Sequence, residues 1–406
     1  MIPRRMNINA VRAQFPSLQR THNAHPVAYF DAPGGTQVPR VVAEAMNEYL
    51  FHHNANTHWV YPTSEETDAI ILDARRAMAD LLGASPDEIC FGANMTSLTF
   101  HLARTLGRMW AEGDEVIVTE LDHHANVAPW RALEIDRGMV VKSARLDCDA
   151  AQIDYEHLAS LVSPRTKLIA VGGASNATGT INDLRRVAAI AKAANALFFV
   201  DAVHLVPHEL VDVKSIGCDF LACSSYKFYG PHEGILWGRY ELLDTLPFPK
   251  LDPAPDRAPE RVETGTQNHE GIAGIIATVD FLASIGGGEG TRRERLSRTF
   301  KALHDDGQRF AQMMWDAFTA MPGLRVYGPP PTRPRTPTMS FTVKGMDADD
   351  VARRLAAEGL FVSSGDFYAA TVCHRYQIDA LVRVGCACYT TEDDVRRLID
   401  AVGRLQ

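Results

Sequence analysis

From about residue 66 to 285 the chain alternates short apolar runs with amphipathic stretches. The runs EVIVTE (115–120), MVVKSARL (139–146), KLIAVGG (167–173), ALFFVDA (196–202) and DFLACSS (219–225) are largely apolar throughout. That is the pattern of strands covered on both faces, and it predicts an α/β large domain with a mostly parallel sheet between helical layers. One helix is easily bounded: it starts at an Asp183 cap, runs through LRRVAAIAKAA and ends at Asn195 in a left-handed conformation. The Pro-rich PFPKLDPAPDRAP (247–259) predicts a surface loop, and IGGGEG (285–290) a domain boundary. After it the pattern predicts a long charged helix (291–321), strand-like TMSFTVKG, a helix from 347, strand-like LFVSSG and VRVGCACY, and a closing helix. Together these make a smaller C-terminal α+β domain. The division is thus residues 1–30 as an N-terminal segment packing on the small domain, 31–285 as the large domain and 286–406 as the small one.

With 406 residues, 46% hydrophobic and 22% charged, the chain can bury a large core and support a second domain. Its 41 basic and 50 acidic residues give a formal charge of −9. Such a balance gives no general reason to bind nucleic acid or an anionic membrane, so an anionic ligand would need a local cationic pocket. No apolar stretch of signal-peptide length follows the basic start and none reaches the ~20 residues of a membrane span, so a cytoplasmic location is expected. Of seven cysteines, Cys90, Cys218, Cys223, Cys386 and Cys388 sit in apolar runs and no CxxC pair occurs, which favours buried small hydrophobes.

The strongest local signal is CSSYKFYGP, where a strand ends in Ser224, Ser225, Tyr226 and Lys227 and a glycine and proline force a loop. In open parallel sheets, ligands bind beyond the carboxyl ends of strands, where a desolvated lysine can attack a carbonyl carbon. A surface lysine is the alternative. In FFVDAVH, Asp201 ends another buried strand and is followed by His204. A buried carboxylate needs a cation, and a protonated pyridine nitrogen is one; a helix cap is the other reading. TELDHHANVAPW places His123 and His124 after a strand, where an imidazole could stack on a pyridine ring; a metal pair is disfavoured, since no further ligand cluster accompanies it. FGANMTSLTFHLA predicts a helix starting near Thr96 and Ser97, whose N-terminus suits a phosphate or simply carries a cap. The ordered set points to pyridoxal 5'-phosphate (PLP) and to no metal.

YFDAPGGTQVP, TELDHHANVAPW, GASNATGT, VDAVH, SSYKFYGP, VETGTQN and RVGCACYTTEDDVRRL occur in this order over nearly the whole chain. In that order they resemble the class V aminotransferase family, and its cysteine desulfurase-like branch most closely. The resemblance implies the fold-type I architecture of PLP-dependent transferases and a homodimer. It makes Lys227 the Schiff-base lysine, Asp201 the pyridinium partner, His123 the stacking residue and His204 the neighbour of the ring hydroxyl. Asn176 would lie beside cofactor and substrate. Phosphate contacts would come from Thr96, Ser224, Tyr226 and, across the dimer interface, Thr266, while Arg383 would clamp a substrate α-carboxylate.

The desulfurases carry a loop cysteine that takes up the substrate sulfur. Here the matching stretch is VSSGDFYAATVCHR, with Tyr368 aligned to that cysteine. A phenol with reference pKa ~10 cannot accept sulfane sulfur. Cys373 could substitute for it, but a packed, incidental thiol is the favoured reading. Tyr226 replaces a histidine and His204 a glutamine. The expected activity is PLP-dependent chemistry on a small L-amino acid, foremost cleavage of a Cβ–S, Cβ–Se or Cβ–sulfinate bond. Transamination, epimerisation and aspartate β-decarboxylation remain as alternatives, as does a non-catalytic role, against which the Lys227, Asp201, His123 and Arg383 set argues.

Overall fold

A computed structural model describes residues 7–405. The large sheet has seven strands: β1 (Ile89–Gly92), β2 (Glu115–Thr119), β3 (Val140–Ala144), β4 (Thr166–Gly172), β5 (Leu197–Asp201), β6 (Phe220–Ser224) and β7 (Gly234–Gly238). Their spatial order is β1-β7-β6-β5-β4-β2-β3. Strands β2 to β6 are mutually parallel where they pair, and β7 runs antiparallel to both its neighbours. Alternate residues point to opposite faces and both faces are covered: Ile117, Ile169, Val200 and Leu221 join one apolar layer, Val116, Leu168, Phe199 and Phe220 the other. This two-sided burial is why the strands read as unbroken apolar runs.

Several local expectations change. MVVKSARL is a strand only to Ala144, and Leu146–Asp147 then pairs with Gln152–Ile153 in a separate hairpin. LFVSSG is not one strand. Leu360–Phe361 pairs in parallel with Ala28–Tyr29, whereas Ser363–Gly365 joins the second sheet. VRVGCACY leaves its strand at Gly385, and Cys388 continues as loop with its N–H donated to the Tyr229 hydroxyl. The 247–259 stretch is irregular but not wholly superficial, since Phe248 is buried against the His101 ring. The helix Leu184–Ala193 is capped by the Asp183 side chain and followed by Asn195 at φ +52°, as its sequence dictates.

The second sheet comprises β8 (Leu324–Tyr327), β9 (Thr338–Val343), β10 (Ser363–Gly365) and β11 (Leu381–Gly385), antiparallel in the order β8-β9-β11-β10. Three helices frame the arrangement: α1 (Met95–Gly107), α2 (His269–Gly286) and α3 (Arg292–Ala320), the last opened by a Thr291–Glu294 capping box. IGGGEG joins α2 to α3 in close contact, for a Cβ on Gly286 would lie 2.2 Å from the Arg295 carbonyl oxygen. Of the N-terminal segment, residues 1–6 lie outside the described residues, as does Gln406. From residue 7 onward the segment packs Phe15 against Tyr229, Phe281 and Tyr389. No helix among the described residues is long and apolar enough to cross a membrane.

Candidate active site

The carboxyl ends of β4, β5 and β6, the turn after β2 and the amino end of α1 converge on a cavity of about 470 Å³. Asn94 caps α1 by accepting the Ser97 N–H at 2.9 Å, and the Met95 N–H donates to the Ser224 hydroxyl at 3.0 Å. The helix therefore starts at Met95, one residue earlier than the sequence suggests. Thr96 lines the cavity, whereas Ser97 does not and contributes its backbone N–H to the cap. Gly234 lies against this turn so closely that a Cβ would stand 2.4 Å from the Asn94 carbonyl carbon. Only glycine allows that approach.

Lys227 follows β6, and its Nζ donates to the carbonyls of Pro33 (2.7 Å) and Gly34 (2.9 Å). Burial, reinforced by the nearby Arg383 charge, lowers its pKa to about 7. Asp201, at the end of β5, accepts only the Val203 N–H at 3.0 Å, and burial raises its pKa to about 6. Asp122, which sequence reading passed over, also lines the cavity. It accepts from the Gly172 N–H (2.7 Å) and from Asn126 Nδ2 (3.1 Å), and burial, with Asp201 nearby, raises its pKa to about 8. The motif TELDHH contained it, but a carboxylate beside two histidines gives no sign that it will be buried.

His123 turns Nδ1 to the Ala125 N–H at 3.0 Å, and burial with the Lys227 charge lowers its pKa to about 4. Its ring is therefore neutral at physiological pH. His204 is also neutral, held well below its ordinary pKa by burial, and its Nε2 meets the hydroxyls of Thr338 (3.0 Å) and Thr336 (3.2 Å). Tyr226 stacks on His232 with ring centroids 4.9 Å apart, and both line the cavity. Among the described residues no group of three or more His, Cys, Asp or Glu is placed to hold a metal ion.

Arg383, on β11, adjoins the cavity through Asn176, whose carbonyl accepts from Nη1 at 3.1 Å. It is 4% exposed, and its Nη2 reaches only the Ser363 hydroxyl at 3.4 Å. Neither partner is charged, and burial lowers its pKa to about 9. Phe367 lies over its guanidinium at 3.9 Å. Asn176 donates Nδ2 to the Phe367 carbonyl at 2.9 Å. Three buried polar atoms here have no partner: Asn176 Oδ1, Asp31 Oδ1 and Arg383 Nε. Tyr368 follows Phe367, both with φ +56°, and its ring lies 5.5 Å from that of His123. The His124 N–H fixes the Tyr368 carbonyl at 2.8 Å, yet the side chain is 73% exposed.

Two residues lie apart. Thr266 is exposed in a separate groove shared with Thr57 and His58, outside the cavity around Lys227. Cys373 is buried in the helix Ala370–Tyr376, and burial pushes its thiol up to about 11. A buried thiol of raised pKa is poorly suited to act as a nucleophile.

These residues fit PLP: a buried carboxylate for a pyridinium, a lysine of lowered pKa, a helix N-terminus for a phosphate and a buried arginine without a charged partner. Fold and site together define a fold-type I, PLP-dependent enzyme. The family model for class-V aminotransferases matches residues 28–398, and the chain belongs to that family. Within it the chain is similar to cysteine desulfurases. It is 31% identical to the cysteine desulfurase of Pectobacterium atrosepticum over 98% of each chain, and 30% identical to a probable cysteine desulfurase of Streptomyces coelicolor over 99% and 97%. The cysteine desulfurase of Thermococcus onnurineus NA1 superposes with a TM-score of 0.88 at 27% identity, covering 100% of this chain and 99% of that one. A cysteine desulfurase from Escherichia coli does so with 0.85 at 27%, covering 98% of each.

Proposed function

We propose that the enzyme is a lyase that breaks the bond between Cβ and sulfur or selenium of a small L-amino acid, without passing the released group to a cysteine of its own. The observation that carries this reading is Arg383, a buried guanidinium beside the Lys227 cavity that, among the described residues, hydrogen-bonds no carboxylate, the Asp31 charge acting on it only from beyond contact. A substrate α-carboxylate would supply the missing charge, and a buried cation left unpaired is costly. Asn176, whose Oδ1 has no partner, would orient the same group.

When bound, the cofactor supplies an electron sink that makes the Cα proton of an attached amino acid acidic. Asp201 would hold the pyridine nitrogen, His123 the ring face, and Met95, Thr96 and Ser224 the phosphate, while Lys227 Nζ would hold the carbonyl carbon. Lys227, with a pKa of about 7, is matched to taking up and returning the Cα proton near neutrality. His123, at about 4, is the weaker base. Loss of the Cα proton with a thiol or selenol from Cβ, followed by hydrolysis, leaves pyruvate and ammonium. A sulfinate group would leave as sulfur dioxide and give alanine. Neither outcome needs a cysteine acceptor, which accords with Tyr368 in the loop and with the burial of Cys373.

The purified protein is expected to be yellow, and Lys227→Ala to lose that absorbance band. Cysteine, selenocysteine, cysteine sulfinate and S-substituted cysteines should then be screened for thiol, selenide, sulfite, pyruvate and alanine. Release of none of these from any substrate, by a protein that retains its colour, would sink the lyase reading. The division near residue 285 and the homodimer, with Thr266 reaching a second active site, belong to the same proposal. The dimer is supported by the exposed Trp59 and Val60, next in the chain to the Thr57 and His58 that share a groove with Thr266.

A further inference from the structure

The proposed lyase function leaves the Cβ substituent open, and the loop Asp366–Tyr368 bears on it. We infer that the enzyme takes amino acids whose Cβ carries an uncharged thioether, preferably aromatic, and that the Tyr368 ring beside His123 reads that group. The inference rests on the lyase reading and goes further by fixing its substrate class.

Charge is the first ground. Lys227 is the only Lys or Arg among the described residues that line the cavity, and Arg383 adjoins it through Asn176. If Arg383 takes the α-carboxylate, a second anionic group at Cβ has no arginine left to meet it. The rings of His123 and His204 are held neutral by burial. The loop itself adds an acid: Asp366 accepts the Tyr368 N–H at 2.9 Å, although at His123 the charges of Lys227, His124 and Arg383 outweigh its own. A sulfinate or a β-carboxylate packed on the Tyr368 loop would meet the Asp366 carboxylate, and like charges brought together cost affinity.

Geometry is the second. Tyr368 is 73% exposed, yet its backbone is held by the His124 N–H on its own carbonyl and by Asn176 Nδ2 on the Phe367 carbonyl before it. Two successive left-handed residues bring its ring to 5.5 Å from that of His123, at 36°. Phe367 meanwhile occupies one face of Arg383. An aromatic substituent has a π surface to pack on here, and a cation is not offered.

The chemistry balances without an oxidant or reductant. The Cα–H and Cβ–S bonds break, and the electron pair of the first forms a Cα–Cβ double bond. Sulfur leaves with its bonding pair and takes a proton as a thiol. Water hydrolyses the released enamine to pyruvate and ammonium.

The test is a titration of the holoenzyme with S-benzyl-L-cysteine, S-methyl-L-cysteine and L-cysteine sulfinate, following the shift of the cofactor's absorbance band, which reports binding apart from turnover. S-benzyl-L-cysteine is expected to bind about 10-fold more tightly than the sulfinate or better. Tyr368→Ala should cut the benzyl-over-methyl preference roughly 3- to 10-fold, and Tyr368→Phe should keep it. Tyr368→Arg should move the preference toward the sulfinate. Equal affinity for sulfinate and thioethers, or a benzyl-over-methyl ratio that Tyr368→Ala leaves untouched, would overturn the inference while leaving the lyase reading in place. No shift with any L-amino acid would overturn both.

Discussion

Lys227 and Arg383 are the two cations of the site, and burial alters both. A lysine whose pKa is lowered from 10.5 to about 7 exposes its neutral amine at physiological pH. Covalent attachment of PLP to cofactor-stripped protein is therefore expected to speed up from pH 6 to pH 8, with a midpoint near 7. A stopped-flow pH profile checks this, and a midpoint near that of free lysine would refute it. Arg383→Lys keeps a charge but loses the planar fork, so KM for the amino acid should rise roughly 10- to 100-fold with a smaller change in kcat. Asp201→Asn removes a carboxylate with a pKa raised to about 6 by burial. It is expected to leave folding intact, as judged by thermal melting, and to lower kcat/KM by about 10²-fold or more through loss of the pyridinium partner. Lys227, Asp201, His123 and Arg383 stood out in the sequence because strand ends and motif order mark them. Asp31, Asp122 and Phe367 did not, since an unpartnered or buried carboxylate and a ring on a guanidinium arise only when distant segments meet.

At the scale of elements, the N-terminus of α1 is held by its Asn94 cap, by the Ser224 hydroxyl and by the close pass of Gly234 on β7. Gly234→Ala would press a methyl group into the Asn94 backbone, and backbone cannot swing aside. A loss of about 1–3 kcal/mol in stability is expected, with weaker retention of the cofactor's phosphate, measured by denaturant unfolding and by cofactor release on dialysis. The strands buried on both faces, β2, β4, β5 and β6, were legible from unbroken apolar runs. β1 (ICFG) and β7 (GILWG) were not, since each holds only three apolar residues beside glycine, too brief a run to separate from loops. LFVSSG reads as one strand because periodicity cannot show its first half leaving to pair with Ala28–Tyr29.

At the scale of the molecule, fold class followed from alternating strands and helices, while the proposed dimer would rest on surface that no pattern flags. Val60 at 96% and Trp59 at 60% exposure are uncommonly bare for their type. Light scattering is expected to give twice the chain mass of 44.7 kDa, and Val60→Asp to shift it toward one. A mass unchanged by that variant would remove these residues from the interface. The two left-handed residues Phe367 and Tyr368 matter at this scale too. Each costs about 1–2 kcal/mol, against a typical whole-protein stability of about 5–15 kcal/mol. A breeder selecting for heat resistance alone would be drawn to this loop, because glycine there relieves the backbone at once. The hardier enzyme so obtained would have lost the surface with which it tells one amino acid from another, and its gain in durability would show up as a loss of discernment.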